Sequence, residues 1–387
     1  MRWPIVPLYE IAEVSAGNPA PQELSAFSEN GVPFIRMQDV GREHRTISLI
    51  ESSDKVSQEA IERHRLRLFP VGSVLIPKSG ASVNLNHRAM LGREAYVVSH
   101  LAVIIPNLEK VLPEYLYLWS LAYDPRSQAQ TTSLPSLPLS LIKVARVLLP
   151  PLPEQHRIVD ILSRAEGIVR LRREAEKKAA ELIPGIFLDM FGDPATNPKG
   201  WPLEALGQHV VIPSVVRIPD HVMDANILCM GADSIESMSG KLISMPTVCE
   251  VLPKSGKYWF DANDVLYSKI RPYLAKVTLA RTGGYCSADI YPLRCGPRLR
   301  PQFLLFLLLS RAFTEFATAE SVRASMPKLN RETLFKYQFP LPPIELQDVF
   351  SAQTSDIQSI LSQQAAATAK AQAAFDALLA QTFAVGV

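Results

Sequence analysis

The chain has 387 residues, 47% of them hydrophobic, enough for two or three domains with cores of their own and too apolar for a disordered protein. Its formal net charge of +2 neither demands nor excludes a nucleic-acid partner, because local patches matter more than the total. Four cysteines, Cys229, Cys249, Cys286 and Cys295, form no C-x-x-C pair, which argues for reduced core thiols and against a zinc cluster.

In chain order, "MRWPIVPLYEIAEV" lacks a basic segment followed by an apolar one, so no signal peptide is expected, and a cytoplasmic location follows. Two basic clusters come next, "GREHRT" (Gly41 to Thr46) and "ERHRLR" (Glu62 to Arg67), suited to phosphate or to a solvated face. "SVLIP", "AYVVSHLAVIIP" and "VARVLLP" have the β-rich composition of strands, punctuated by Pro, Gly and Asn. After "LLPPLPEQHRIVDIL" a long helical pattern begins, in which Pro184 is expected to kink the helix near its end. "FGDPATNPKG" (Phe191 to Gly200) is a turn-rich exit. The second half gives strands at "DVLYSKI" and "FKYQFPLP", then a second long helix. Its most apolar run, "FLLFLLLS" (Phe303 to Ser310), is too short to span a bilayer.

The halves repeat. Pro150, Pro151 and Gln155 recur as Pro342, Pro343 and Gln347 at an offset of 192 residues, and "SLPSL" recurs as "SMPKL" at the same offset. "GSVLIPKSG" resembles "NDVLYSKIR", "LPEYLYLWSL" resembles "RPQFLLFLLL", and "RWPIVPL" resembles "GWPLEAL", all in the same order.

The first helix carries a seam with steps of three and four: Ile158, Ile161, Ala165, Ile168, Arg172, Ala175, Ala179, Leu182 and Ile186. The second carries Phe350, Gln353, Ile357, Ile360, Gln364, Ala367, Ala371, Ala374 and Leu378, with Gln364 equivalent to Arg172 as a possible polar register device. Helices of about 30 residues, roughly 45 Å long, exceed what a domain of this size needs. The expectation is an antiparallel coiled coil, with Ile158, Ile161, Ile168, Leu182, Phe350, Ile357, Ile360 and Leu378 at its interface, and with the Pro-Pro step launching each arm. The expected architecture is α+β: mixed recognition domains at 1–152 and 194–343, long helices at 153–193 and 344–387, and a pseudo-two-fold repeat.

This arrangement resembles the specificity subunit of type I DNA restriction–modification systems, through "PLPEQHRIVDIL" at Pro151, "FLDMFGDP" at Phe187, "GWPLEALGQ" at Gly200 and "PLPPIELQ" at Pro340. The second copy departs from the pattern, with Glu345-Leu346-Gln347 where the first has Pro153-Glu154-Gln155. The resemblance implies two target-recognition domains, each reading half of a split double-stranded DNA site. The partners it implies are two methyltransferase subunits that methylate adenine and a motor-nuclease restriction subunit. S-adenosylmethionine, ATP and Mg would be held by those partners, with no cofactor or metal in this chain.

The residues themselves offer no catalytic constellation: no phosphate loop, no G-x-G-x-x-G, no H-E-x-x-H and no Asn-Pro-Pro-aromatic motif. "EAEKK" (Glu174 to Lys178) has nuclease-like spacing but lies on a helix face, where i,i+4 pairing explains it. DNA contact is expected from "PKSGASVNLNHR" through Lys78, Asn84, Asn86 and Arg88, with His87 beside them. The equivalent "SKIRPYLAK" offers Lys269, Arg271, Tyr273 and Lys276, and "MPKLNRE" offers Lys328, Asn330 and Arg331. Arg and Lys can pair with guanine or phosphate and Asn with adenine. Because "LPSLPLS" lacks the donors of "MPKLNRE", the two domains should not read alike. Basic residues on the first helix (Arg164, Arg170, Arg172, Arg173, Lys177, Lys178) could face phosphates or a partner. Two alternatives stand beside this reading: a coiled-coil adaptor that assembles proteins without DNA, and the recognition part of another restriction enzyme whose catalytic domain is lost or encoded separately.

Overall fold

The computed structural model describes residues 3–42, 45–83, 85, 87–124, 136–213, 216–321 and 327–383. The chain forms two compact units: Met1–Arg173 together with Ala366–Val387, and Glu174–Ala365.

In the first unit the strand Val74–Pro77 is buried along its whole length. It lies between Leu101–Pro106 and Arg88–Leu91, antiparallel to both, with Ala12–Ala16 and Arg45–Leu49 at the sheet edges. Side chains alternate between the two sides of a strand. Val74, Ile76, Ala102 and Ile104 therefore join one core with the helix Pro113–Ala122, while Leu75, Leu101, Val103 and Ala89 join a second. Burial on both sides is why "SVLIP" reads as a continuous apolar run. The second core is closed by the strands Asp54–Val56, Phe27–Ile35 and Tyr96–Val97. The chain start is clasped to the strand before the Pro-Pro step: Ile5 pairs with Leu148, and the Leu149 N–H donates to the Pro4 carbonyl at 2.9 Å.

The second unit repeats this plan. Val265–Ser268 lies between Ile290–Cys295 and Val277–Leu279, with Val210–Val211 at the edge. Val265 and Tyr267 join one core with the helix Pro301–Leu309, and Leu266 joins another. Leu203 pairs with Pro340, and the Leu341 N–H donates to the Pro202 carbonyl at 2.9 Å. A separate sheet, ordered Val216–Arg217, Lys257–Phe260, Gly284–Cys286, Leu228–Met230, covers the other side. The α+β class and the internal repeat are thus present element by element. Cys229 and Cys286 are buried as expected of core thiols, Cys295 is partly exposed, and Cys249 is on the surface, which corrects the reading for that residue.

The first long helix runs Leu152–Ala180 and restarts as Leu182–Phe191. Pro184 has no N–H for the Ala180 carbonyl, so the interruption falls one turn before the proline. The second is continuous over Ile344–Phe383. Each contributes to both units. In the first unit Ile158, Leu162 and Val169 pack in one core with Phe375, Leu379 and Phe383, and Arg173 donates to Gln372 at 3.0 Å. In the second, Phe187 and Phe191 pack on Phe350, with ring centroids 5.7 and 5.3 Å apart.

The expected seam is rotated by one residue. Ile158 and Phe350 are buried and Ile357 partly so, but Ile161 is 42% and Ile168 52% exposed, and Leu182, Ile360 and Leu378 also face outward. Leu162, Val169 and Ile183 take the inward places, as do Thr354 and Phe375 on the second helix. Gln364 is exposed, so it is no buried register device. Among the described residues no single helix is long and apolar enough to cross a membrane. The bent pair Pro301–Leu309 and Arg311–Ala319 has the composition, but Phe303, Leu304, Leu307, Leu308 and Phe313 lie in the core of the second unit.

Candidate nucleic-acid interface

In each unit the central strand runs out into a loop that is zipped to a second segment. In the first, the Leu137 N–H donates to the Lys78 carbonyl at 2.8 Å, and Ser79 is bridged to Ser136. In the second, the Leu329 N–H donates to the Lys269 carbonyl at 2.9 Å, Ile270 is bridged to Lys328, and the Arg271 N–H reaches the Pro327 carbonyl at 2.8 Å. A 3-10 turn follows in both: Ala81–Val83 after Gly80, and Pro272–Leu274 after Arg271. Both entry residues are left-handed, Gly80 with φ 76° and Arg271 with φ 49°, and the second turn closes on left-handed Ala275, φ 42°. A left-handed residue bearing a Cβ costs roughly 1–2 kcal/mol, so the second turn is strained where the first has glycine at its entry.

The second unit gathers most of the expected residues, in different roles. Lys269 is buried, with its ammonium 4.9 Å from the centre of the Tyr291 ring. Burial, and then the neighbouring Lys328 charge, pull it below the ordinary lysine range. Lys276 donates to the Ala232 carbonyl at 2.9 Å, so it ties two loops together. Asn330 caps the helix Arg331–Lys336, its side-chain oxygen accepting from the Thr333 N–H at 2.8 Å. Arg331 lies over the Phe335 ring. Arg271, Tyr273 and Lys328 are exposed, and their side chains make no hydrogen bond, ion pair or ring contact among the described residues.

The first unit corrects one assignment outright. Arg88 is 1% exposed, and its guanidinium donates to the carbonyls of Ser120 at 2.9 Å, Tyr123 at 3.1 Å and His87 at 2.8 Å. It closes the C-terminal end of the helix Pro113–Ala122, where a cation is favoured, and cannot reach DNA. Asn84 and Asn86 lie outside the described residues. Lys78 is partly exposed, and a cleft of about 700 Å³ in the same unit is lined by Met37, Gln38, Ser53, Ser82 and His87. Burial, and then the Arg88 charge, lower the His87 pKa. The basic cluster at Glu62 to Arg67 is largely neutralised: Arg63 pairs with Glu59, His64 with Glu23 at 2.7 Å, and Arg67 with Glu13 at 2.6 Å. Of the cluster at Gly41 to Thr46, Glu43 and His44 lie outside the described residues. On the first long helix Arg164 pairs with Asp160 at 2.9 Å, while Arg170, Lys177 and Lys178 are exposed.

Sequence reasoning noticed the repeated Pro-Pro-x-x-x-Gln and missed what the glutamine does. Gln155 is fully buried; its side-chain oxygen accepts from the Leu112 N–H at 2.9 Å, and its amide donates to the carbonyls of Lys110 and Pro150, both at 2.9 Å. Gln347 repeats the set with the Arg300 N–H at 2.9 Å and the carbonyls of Arg298 at 3.2 Å and Pro342 at 2.9 Å. Each glutamine thus fixes the start of a long helix against the loop that opens the core helix. Among the described residues no group of three or more His, Cys, Asp or Glu side chains is placed to hold a metal ion.

Comparison with known proteins places this geometry. The family model described as the type I restriction modification DNA specificity domain matches residues 2–181 and 234–369. Among curated relatives, the type I restriction enzyme EcoDI specificity subunit of Escherichia coli is 34% identical over 148 residues, 38% of this chain and 32% of that protein. The MjaIX specificity subunit of Methanocaldococcus jannaschii is 29% identical over 193 residues, 47% of this chain and 44% of that protein. The chain therefore matches less than half the length of these relatives. A solved chain from work on complex assembly and conformational transition of the type I R-M system superposes with a TM-score of 0.61 at 18% identity, over 100% of this chain and 98% of its own. The type I S subunit from M. genitalium superposes with a TM-score of 0.54 at 10% identity, over 100% and 97%. Both likenesses are of fold.

Proposed function

This chain belongs to the family of type I restriction modification DNA specificity domains, and from that premise we propose that it is the sequence-reading subunit of such a system. Its recognition domains, 1–152 and 194–343, each read one half of a split double-stranded DNA target. The chain contributes recognition, and the chemistry belongs to partners: methyltransferase subunits using S-adenosylmethionine, and through them an ATP- and Mg-dependent restriction subunit. The observation that carries this reading is the zipped loop built at the same place in both units, with Arg271, Lys328 and Arg331 outside any ion pair among the described residues. Unneutralised cations beside a rigid loop suit phosphate, and an arginine fork suits the guanine edge in the major groove. Lys78 serves the first unit more sparsely, so the two domains read different sequences. The apolar residues that the seam leaves exposed in the first unit, Ile161, Ile168 and Leu171 on the first long helix with Leu378 on the second, are the surface we assign to the methyltransferase subunits.

The test is a mobility shift with random duplex at low salt, with and without the methyltransferase, followed by a map of modified bases in cells expressing both. A salt-dependent shift and a two-part methylated motif are expected. Assembly with the methyltransferase but no DNA binding under any condition would make the chain an adaptor instead.

A further inference from the structure

Arg271 and Gly80 occupy the same place in the repeat. Each follows the central strand and its zipped pair, each enters a 3-10 turn, and each is left-handed. Glycine is the residue such a backbone favours, and the first unit has it. The second unit holds an arginine there against backbone preference. Its side chain has no partner among the described residues, so nothing in their packing accounts for keeping it. The turn behind it is firmly seated: Pro272 and Ala275 are buried, the Arg271 N–H is fixed to the Pro327 carbonyl at 2.8 Å, and Lys276 is tied to Ala232 at 2.9 Å. Of the five residues from Arg271 to Ala275, Arg271 and Tyr273 are the exposed ones. A seated turn that presents a guanidinium and one aromatic ring is suited to contact with a base edge, and strain of this kind is typical where a side chain must be aimed.

We infer that Arg271 is a specificity-determining residue of the second recognition domain, whose guanidinium reads a guanine through its O6 and N7, with Tyr273 packing beside it on the neighbouring base edge or sugar. The first domain, with Gly80 at that place, lacks this contact. The inference rests on the DNA-reading function proposed above and divides the labour within it: Lys269 and Lys276 build the turn, and Arg271 reads.

The experiment uses the full chain assembled with its methyltransferase. Arg271→Gly places the backbone-favoured residue at that position, so the thermal midpoint should stay or rise. The map of modified bases should show one G·C position of one half-site relaxed by tenfold or more, with the other half-site unchanged. Arg271→Lys, which keeps the charge and loses the fork, should relax the same position while the salt dependence of binding to random duplex is retained. An Arg271→Gly complex that still methylates the original motif with full selectivity overturns the inference and leaves the DNA-reading function standing. So does a uniform loss of affinity on all sequences, which would make Arg271 a phosphate contact. A fall of several degrees in the midpoint would make it a structural residue. Wild-type complex that binds no DNA would instead overturn the function itself.

Discussion

Gln155 and Gln347 show how one buried amide can set the direction of a long element. Each gathers one N–H and two carbonyls that belong to a strand exit and a helix entrance, and each is sealed from water. Replacing Gln155 with Leu keeps most of the volume and strands three backbone groups. A loss on the order of 3 kcal/mol is expected, read as a lower denaturant midpoint, with Gln347→Leu costing about the same. A change under about 0.5 kcal/mol in both would show that the clamp is decorative. At this scale the sequence was only partly legible. The loop carrying Lys269 to Lys276 could be found from its place after an apolar run. Which of its cations were free could not, because their partners lie far along the chain: Lys276 holds a carbonyl 44 residues away, and Arg88 holds carbonyls 32 and 35 residues away. Local pattern has no access to such pairs.

At the scale of elements the long helices, the strands and their order could be read, and the rotation of the helices could not. Two interleaved seams fit the first helix, both containing Ile158, Ala165, Arg172, Ala179 and Ile186. One adds Ile161, Ile168, Ala175 and Leu182; the other adds Leu162, Val169, Glu176 and Ile183. Apolarity alone favours the first set, which has no charge. The fold takes the second, because Gln155 and Ile158 are locked into the domain at the helix start and fix its rotation before the seam begins. What remains exposed among the described residues is an apolar stripe on the first helix, Ile161, Ile168 and Leu171. Leu162→Asp with Val169→Asp should therefore abolish soluble expression, since two carboxylates would enter an apolar core. Ile161→Asp with Ile168→Asp should leave the circular dichroism spectrum and thermal midpoint nearly unchanged and abolish co-purification with the methyltransferase. If the second pair is the one that unfolds the protein, the stripe belongs to the interior and the docking surface must be sought elsewhere.

At the scale of the whole molecule the two units are unequal in how the chain supplies them. The second is continuous, Glu174–Ala365, whereas the first takes Met1–Arg173 and waits for Ala366–Val387. Phe375, Leu379 and Phe383 arrive last and are all buried in the first unit's core, Phe383 against Tyr115 with ring centroids 5.2 Å apart. At roughly 1.5–3 kcal/mol for each of the three buried side chains, their removal withdraws about 4.5–9 kcal/mol, comparable to the whole stability of a domain. A chain ending at Ala365 should consequently keep amide protection over Val265–Ser268 and Pro301–Leu309 and lose it over Val74–Pro77 and Pro113–Ala122, as followed by hydrogen exchange. The same dependence orders folding: the second unit can complete itself first although it begins later in the chain, and the first can close only when the last helix is made. Pulse-labelled refolding of the full chain should then show protection appearing over Val265–Ser268 before Val74–Pro77. Equal protection of both strands in the truncated chain would mean that the tail merely covers the first unit, and that neither its core nor its folding order depends on the final helix.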